Sequence, residues 1–189
     1  MEKRSDKDLM KLTVERNTAA FKALYYRYEL QIFNFILRYT GCREIAQDLL
    51  QETFTRVWFA AHTFDQMRGN FKGWVYKIAL NITRSEMSKK RYATYFLDVH
   101  EISGTRHDPG HPEEEQPDAK LEASEVKKLI ASAVGKLPLH LREIIILKHY
   151  HQLKFREIAQ ITDTPEGTLK ARFHRAIARM REHLEPLEP

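Results

Sequence analysis

The segment from Ser103 to Asp118, SGTRHDPGHPEEEQPD, sets the first limit on what this chain can fold into. It holds three prolines and two glycines, a surplus of acid and no large apolar side chain. Such a stretch cannot bury enough surface to offset the entropy of ordering it, so a flexible linker is expected here. The 189 residues are then expected to divide into two small domains rather than enclose one core. We set the boundaries at 1–95 for the first domain, 96–124 for the acidic linker and 125–189 for the second. A flexible chain of about 25 to 30 residues spans roughly 25 to 30 Å, which would let the two blocks sit about one duplex turn apart or more.

Charge follows the same division. The whole chain carries +5, yet between Asp98 and Glu125 nine acids face two bases, a balance of −7. The first 97 residues hold +7 and the last 64 hold +5. Two basic blocks around an acidic bridge are the footprint of two surfaces that each meet a polyanion, although two solvated basic faces would give the same count.

Several function classes are set aside by what is missing. No apolar run approaches the roughly 18 to 20 residues of a membrane span, and the N-terminal stretch lacks the apolar segment of a secretory signal, so a soluble cytoplasmic protein without membrane insertion is expected. Cys42 is the only cysteine, which excludes an intramolecular disulfide and a thiolate zinc site built from it alone. Among the histidines, His140, His149, His151 and His174 show no metal-ligand spacing with carboxylates, and no nucleophile motif is present. No metal, no cofactor and no enzymatic activity are expected.

Both blocks read as helical, with no alternating strand pattern of useful length, so the fold class is all-α. Phe21, Leu24, Tyr25, Tyr28, Ile32, Phe35 and Ile36 recur at three-and-four spacing and give a first helix closed by Gly41. A second helix runs from about Glu44 to Ala61, with Ala46, Leu49, Leu50, Phe54, Val57 and Trp58 on its apolar side. After the polar loop HTFDQMRGN a third runs from about Phe71 to Lys90. In the second block, helices are expected near 139–150 and 155–161, then a longer one from Pro165 to about Leu184. Thr164 and Pro165 look like an N-cap followed by a first-turn proline. The short turn ITDTP between the last two helices makes them a helix-turn-helix. Leu169, Phe173, Ala176 and Met180 share one face of the final helix, leaving Thr168, Lys170, Arg172 and Arg175 on a basic side suited to phosphates and guanine edges.

The run DLLQETFTRVW (Asp48 to Trp58), followed by NFKGWVYKIALNITR and EIAQITDTPEGTLKARFHRA, resembles bacterial RNA polymerase sigma factors of the extracytoplasmic-function (ECF) group over nearly the whole chain. The combination is specific where each motif alone is weak. The resemblance implies a promoter-specificity subunit that performs no chemistry itself. Its partners would be core RNA polymerase, through the β′ clamp helices and the β subunit, promoter DNA, and an anti-sigma factor.

Residue by residue, the resemblance makes Asp48, Gln51, Glu52 and Arg56 the polymerase-docking edge; without it they read as a solvated helix face. It places the −10 strand on Phe64, Phe71, Lys72, Lys77, Asn81 and Arg84, with Asn81 at the base-reading position and the loop 64–72 as a pocket. Extruded bases need such a mixture of cations, rings and an amide. Trp74 and Ile78 read as core, whereas Phe71 and Tyr76 remain open between core and surface. The −35 element falls to Thr168, Lys170, Arg172 and Arg175. One departure stands out: Asp163 occupies a turn position where the family usually has glycine, and Asp tolerates the left-handed backbone at modest cost. Other readings are an ordinary helix-turn-helix regulator, which gives Asp48, Gln51 and Glu52 no role, and an enzyme, which has no motif to support it.

Overall fold

The computed structural model describes residues 4–65, 67, 69–89 and 117–184. Of the linker expected over 96–124, residues 96–116 lie outside the described residues, as does the tail 185–189. Among the described residues every regular element is helical. The elements are α1 (Asp6–Val14), α2 (Thr18–Thr40), α3 (Arg43–Ala60), α4 (Phe71–Ser88), α5 (Pro117–Lys136), α6 (Leu139–Ile145), α7 (Phe155–Thr162) and α8 (Glu166–Leu184). A single 3₁₀ turn, Ala61–Thr63, extends α3, and a π-helical turn, Ile146–Tyr150, extends α6.

The first block is a four-helix packing in which α2 lies against α1, α3 and α4. Leu24, Tyr28, Ile32, Phe35 and Ile36 bury one stripe of α2, and Ala46, Leu49, Phe54 and Val57 bury one stripe of α3. Each large apolar side chain buried this way contributes about 1.5 to 3 kcal/mol. Gly41 ends α2 in the left-handed conformation (φ 72°), its N–H donating to the Leu37 carbonyl, a geometry that a side chain resists. Helix α1 was not anticipated. Its signal was present in Ser5 and Asp8, since the Ser5 hydroxyl caps the Asp8 amide at 3.2 Å, the pattern of a helix start. Asp6 then ties α1 to α2 through Arg27 and the Tyr28 hydroxyl.

In the second block α8 packs on α5, α6 and α7. Helix α5 begins at Pro117, inside the range assigned to the linker. Proline is at home in a first helical turn, so Pro117, counted among the prolines of the linker, opens a helix instead. Arg142, buried to 4 % exposure, holds this block together. Its guanidinium donates to the carbonyls of Val134, Gly135 and Leu137, and to Tyr39 of α2 at 3.0 Å. Burial lowers its pKa to about 10, so it remains charged at neutral pH. The turn between α7 and α8 has Asp163 in the left-handed conformation (φ 50°), donating its N–H to Ala159. Helix α8 starts at Glu166, and the Thr164 hydroxyl donates back to the Thr162 carbonyl at 3.2 Å. The N-cap expected of Thr164 is therefore displaced by one residue.

The two blocks also pack on each other: α4 lies against α7, and α2 meets α5, α6 and the π turn. Their buried side chains join one hydrophobic cluster.

Candidate nucleic-acid interface

Helix α3 offers an exposed polar stripe. With its buried face fixed by Leu49, Phe54 and Val57, the three-and-four spacing leaves Asp48, Gln51, Glu52 and Arg56 all exposed on the other side. Arg56 pairs with Glu52 at 2.5 Å across one turn, and both side chains stay about half exposed (56 % and 44 %). Such a pair is worth a few tenths of a kcal/mol, roughly 0.3 to 0.5, so it is readily exchanged for a partner's charges. Beside this stripe an aromatic groove opens between α2 and α3, about 490 Å³ in volume, lined by Phe21, Tyr25, Gln51, Phe54, Trp58 and Phe59 among others. Its rings pack edge to face, Phe21 on Trp58 at 5.0 Å and Tyr25 on Phe54 at 4.7 Å. Phe59 remains 64 % exposed at the rim and Tyr26 60 % exposed nearby on α2. Phe54 and Trp58 lie on the apolar side of α3 as the spacing suggests, Phe54 buried and Trp58 half-buried; the groove above them is not legible in that spacing.

The aromatic stretch of α4 resolves into two layers. Phe71 and Tyr76, left open by the sequence, are both core, at 1 % and 0 % exposure. Phe71 is enclosed by Tyr28, Phe64 and Trp74, so its ring offers no face to a base. It supports the partly exposed Phe64 from beneath. Trp74 and Ile78 are half-buried and pack against the core, close to their expected place. Asn70 caps α4, its side-chain oxygen accepting from the Gly73 amide at 2.8 Å. On the outer side Asn81 is exposed, while Lys72, Lys77 and Arg84 are half-buried. The outer layer thus contains three cations and one amide, with Phe64 at its edge.

Two of those cations are engaged. Lys77 meets Asp163 at 2.8 Å, and Arg84 forms a two-pronged contact with Glu143, Nε at 2.9 Å and Nη2 at 2.7 Å. Partial burial disfavours the Arg84 charge, but the Glu143 hydrogen bonds and carboxylate more than offset it and raise its pKa. From the same helix the Tyr76 hydroxyl meets His151 Nδ1 at 2.8 Å. Burial, with Arg38 and Lys72 nearby, lowers the His151 pKa to about 3. Burial likewise raises the Tyr76 pKa, so the pair is a neutral hydrogen bond in which the ring nitrogen and the hydroxyl share one proton position. His151 Nε2 is buried with no partner. Sequence reasoning missed Glu143 and His151, since a lone Glu in an isoleucine-rich run and a His in a turn carry no motif.

Helix α8 is anchored by Leu169 and Ala176, both buried, and by Phe173 stacked edge to face on Phe155 at 5.9 Å. That fixes the opposite side outward: Thr168, Lys170 and Arg175 are exposed and Arg172 is half-buried. No helix among the described residues is long and apolar enough to cross a membrane, and no group of candidate metal ligands occurs among them.

Helical throughout the described residues, with an exposed carboxylate-edged stripe on α3, a cationic α4 face and a helix-turn-helix, the protein has the build of a promoter-recognition factor. Residues 24–92 match the Sigma-70 region 2 family and residues 127–180 match the Sigma-70 region 4 family. The chain is 31 % identical to the ECF RNA polymerase sigma factor SigW of Bacillus subtilis over 172 residues, covering 89 % of this chain and 90 % of the relative. It is 27 % identical to the ECF RNA polymerase sigma-E factor of Escherichia coli K12, covering 98 % and 97 %. The chain belongs to the ECF group of RNA polymerase sigma factors and directs promoter-specific transcription initiation. Among solved structures, CnrH in complex with the cytosolic domain of CnrY shares the fold with a TM-score of 0.70 at 23 % identity, over 97 % of this chain and 99 % of that one. The sigma factor RpoE in complex with the anti-sigma factor NepR, from Bartonella quintana, does so with a TM-score of 0.63 at 23 % identity, over 89 % and 98 %.

Proposed function

We propose that the protein docks on core RNA polymerase through α3, reads the −35 element as duplex through α8, and holds the −10 element as separated strand on α4 and the loop before it. In this reading Asp48, Gln51, Glu52 and Arg56 engage the β′ clamp helices, and the aromatic groove beside them receives an apolar side chain of the same partner. Carboxylates at three-and-four spacing present one edge of a helix to arginines opposite. The observation that carries the reading is the exposure of all four residues on one stripe of α3.

Thr168, Lys170, Arg172 and Arg175 contact the −35 duplex. Asn81 reads a base, Lys72, Lys77 and Arg84 hold phosphates, and Phe64 stacks, with Phe71 as its support. Capture of extruded bases offsets the few kcal/mol that each unstacked step costs. The chain supplies no chemistry of its own and works in the cytoplasm, where polymerase is. An anti-sigma factor restrains it by covering its exposed apolar helix faces; the sigma factor RpoE of similar fold is found in complex with the anti-sigma factor NepR.

The test is a titration of fluorescently labelled protein with bacterial core polymerase, beside an Asp48→Arg, Glu52→Arg variant. Tight binding by the wild type, weakened at least tenfold in the variant, is expected. A folded wild type that does not bind polymerase but binds a promoter duplex tightly by itself would favour the ordinary helix-turn-helix regulator.

A further inference from the structure

Helix α1 ends on a residue that its turn does not require. Glu15 closes the helix, and Arg16 follows in the left-handed conformation (φ 63°). The Arg16 N–H donates to the Thr13 carbonyl and the Asn17 N–H to the Leu12 carbonyl, each at 3.0 Å. This pair of backbone bonds is a helix ending at which glycine is preferred, because a side chain resists the left-handed backbone. Asn17 then starts α2, its side-chain oxygen accepting from the Ala20 amide at 3.0 Å. The junction is complete in its main chain, and glycine at position 16 would serve it with less strain.

The side chain accounts for the arginine. Its Nη1 donates to the Trp58 carbonyl at 3.1 Å, 42 positions along the chain, and its guanidinium carbon stands 5.3 Å from the centre of the Trp58 ring. Trp58 lies in the last turn of α3, where a helix leaves its carbonyls without intrahelical partners and a cation is favoured. The next two carbonyls are met from within the following turn, that of Phe59 by His62 Nδ1 at 3.1 Å and that of Ala60 by the Thr63 hydroxyl at 2.7 Å. The Trp58 ring packs edge to face on Phe21 at 5.0 Å and lines the aromatic groove between α2 and α3, with exposed Phe59 beside it in sequence. Arg16 stands outside the groove lining, so it acts on the groove through Trp58.

We propose that Arg16 is a positioning residue for polymerase docking: its guanidinium, held on the Trp58 carbonyl and ring, fixes the aromatic wall of the groove in the form that receives the partner's apolar side chain. The docking role rests on the assignment of α3 and its groove to core polymerase; the clamp on Trp58 does not. A side chain fixed before binding need not be ordered during it, so the clamp strengthens docking without a contact of its own to polymerase. The left-handed backbone at Arg16 is then strain retained for function.

The experiment separates stability from docking by comparing Arg16→Gly and Arg16→Ala with the wild-type chain. Both remove the guanidinium, but only glycine relieves the left-handed backbone. Arg16→Gly therefore keeps the fold and should melt at a higher temperature than Arg16→Ala. Titration with core polymerase should nevertheless show both variants weakened alike, by about two- to fivefold, the range that an exposed contact between a cation and a ring spans. In nitrogen–proton correlation spectra of the two tryptophan indoles, the Trp58 signal should move in both variants while that of Trp74 stays, the assignment being made with Trp74→Phe. Affinity that follows melting temperature, with Arg16→Gly binding as the wild type does, would overturn the proposal and leave Arg16 a helix-end residue only. An unmoved Trp58 signal would overturn the clamp. A folded wild type that does not bind polymerase would instead remove the docking assignment and this role with it, and a displaced Trp58 signal would then leave the clamp standing.

Discussion

At the residue scale, His151 is the group whose chemistry most depends on the fold. Its imidazole faces Tyr76 and Lys72 from α4 and Arg38 and Phe35 from α2. Burial, reinforced by those two cations, brings its pKa down to about 3, against about 6.5 in an unfolded chain. The unfolded chain therefore takes up the proton first. The stability contributed by neutral His151 is complete above pH 6.5 or so and is lost as pH falls from there towards the folded value, at up to about 1.4 kcal/mol per pH unit. Thermal melts between pH 7 and 5 should show a steeper loss for the wild type than for His151→Phe. Superimposable profiles would contradict this. The role of Asn81 is also a residue-scale matter. Its side chain is exposed on α4 with the core below untouched, so Asn81→Ala should leave folding and polymerase binding intact while impairing strand opening.

The legibility of the site in the sequence was uneven at this scale. The exposure of Asp48, Gln51, Glu52, Arg56 and Asn81 follows from three-and-four spacing, because a periodic apolar face fixes where the other side points. Phe71 and Tyr76 could not be placed that way. Whether a ring is core or surface depends on what packs above it, and for Tyr76 the neighbour is His151, 75 positions along the chain.

At the scale of elements, α2, α3, α4 and α7 begin and end close to where the sequence suggests, since Gly41, Asn70 and Asp163 mark termini by their own backbone or side-chain chemistry. Helices α1 and α5 were missed for different reasons. The capping signal of α1 stood before a short, mostly polar helix, and α5 opens on a proline inside an acidic run. Helix α8 carries the clearest prediction. Leu169 and Ala176 hold it to the second block, so Arg172→Ala, at a half-buried position beside the basic face, should weaken binding of the holoenzyme to a wild-type −35 site by about 1 to 3 kcal/mol. The loss should vanish at a site whose −35 element is mutated. Equal affinity of variant and wild type at both sites would remove Arg172 from the interface.

At the scale of the whole molecule, the sequence reads as two basic blocks joined by a flexible acidic linker, with their relative arrangement left open, and the structure shows the blocks packed together through Arg84, Tyr76 and Lys77. Nothing in composition could have shown this, because the contacts pair single residues across more than 50 positions of chain, Arg84 with Glu143 among them. The charge partition still has a consequence. If both blocks neutralise phosphates, holoenzyme affinity for promoter DNA must fall linearly on a logarithmic salt scale, with a slope near −0.9 per phosphate contact on duplex. A flat profile in a filter-binding series would contradict the assignment of the basic faces to DNA.

The most direct test of the central claim is permanganate reactivity of promoter thymines in the presence of core polymerase and this protein, compared with the Asn81→Ala variant. The wild type should render thymines of the −10 element reactive, and the variant should bind polymerase equally well yet leave them largely protected in the duplex. Normal reactivity with the variant, or no reactivity with a wild type that binds polymerase, would contradict the account of α4 as the surface that holds the opened strand.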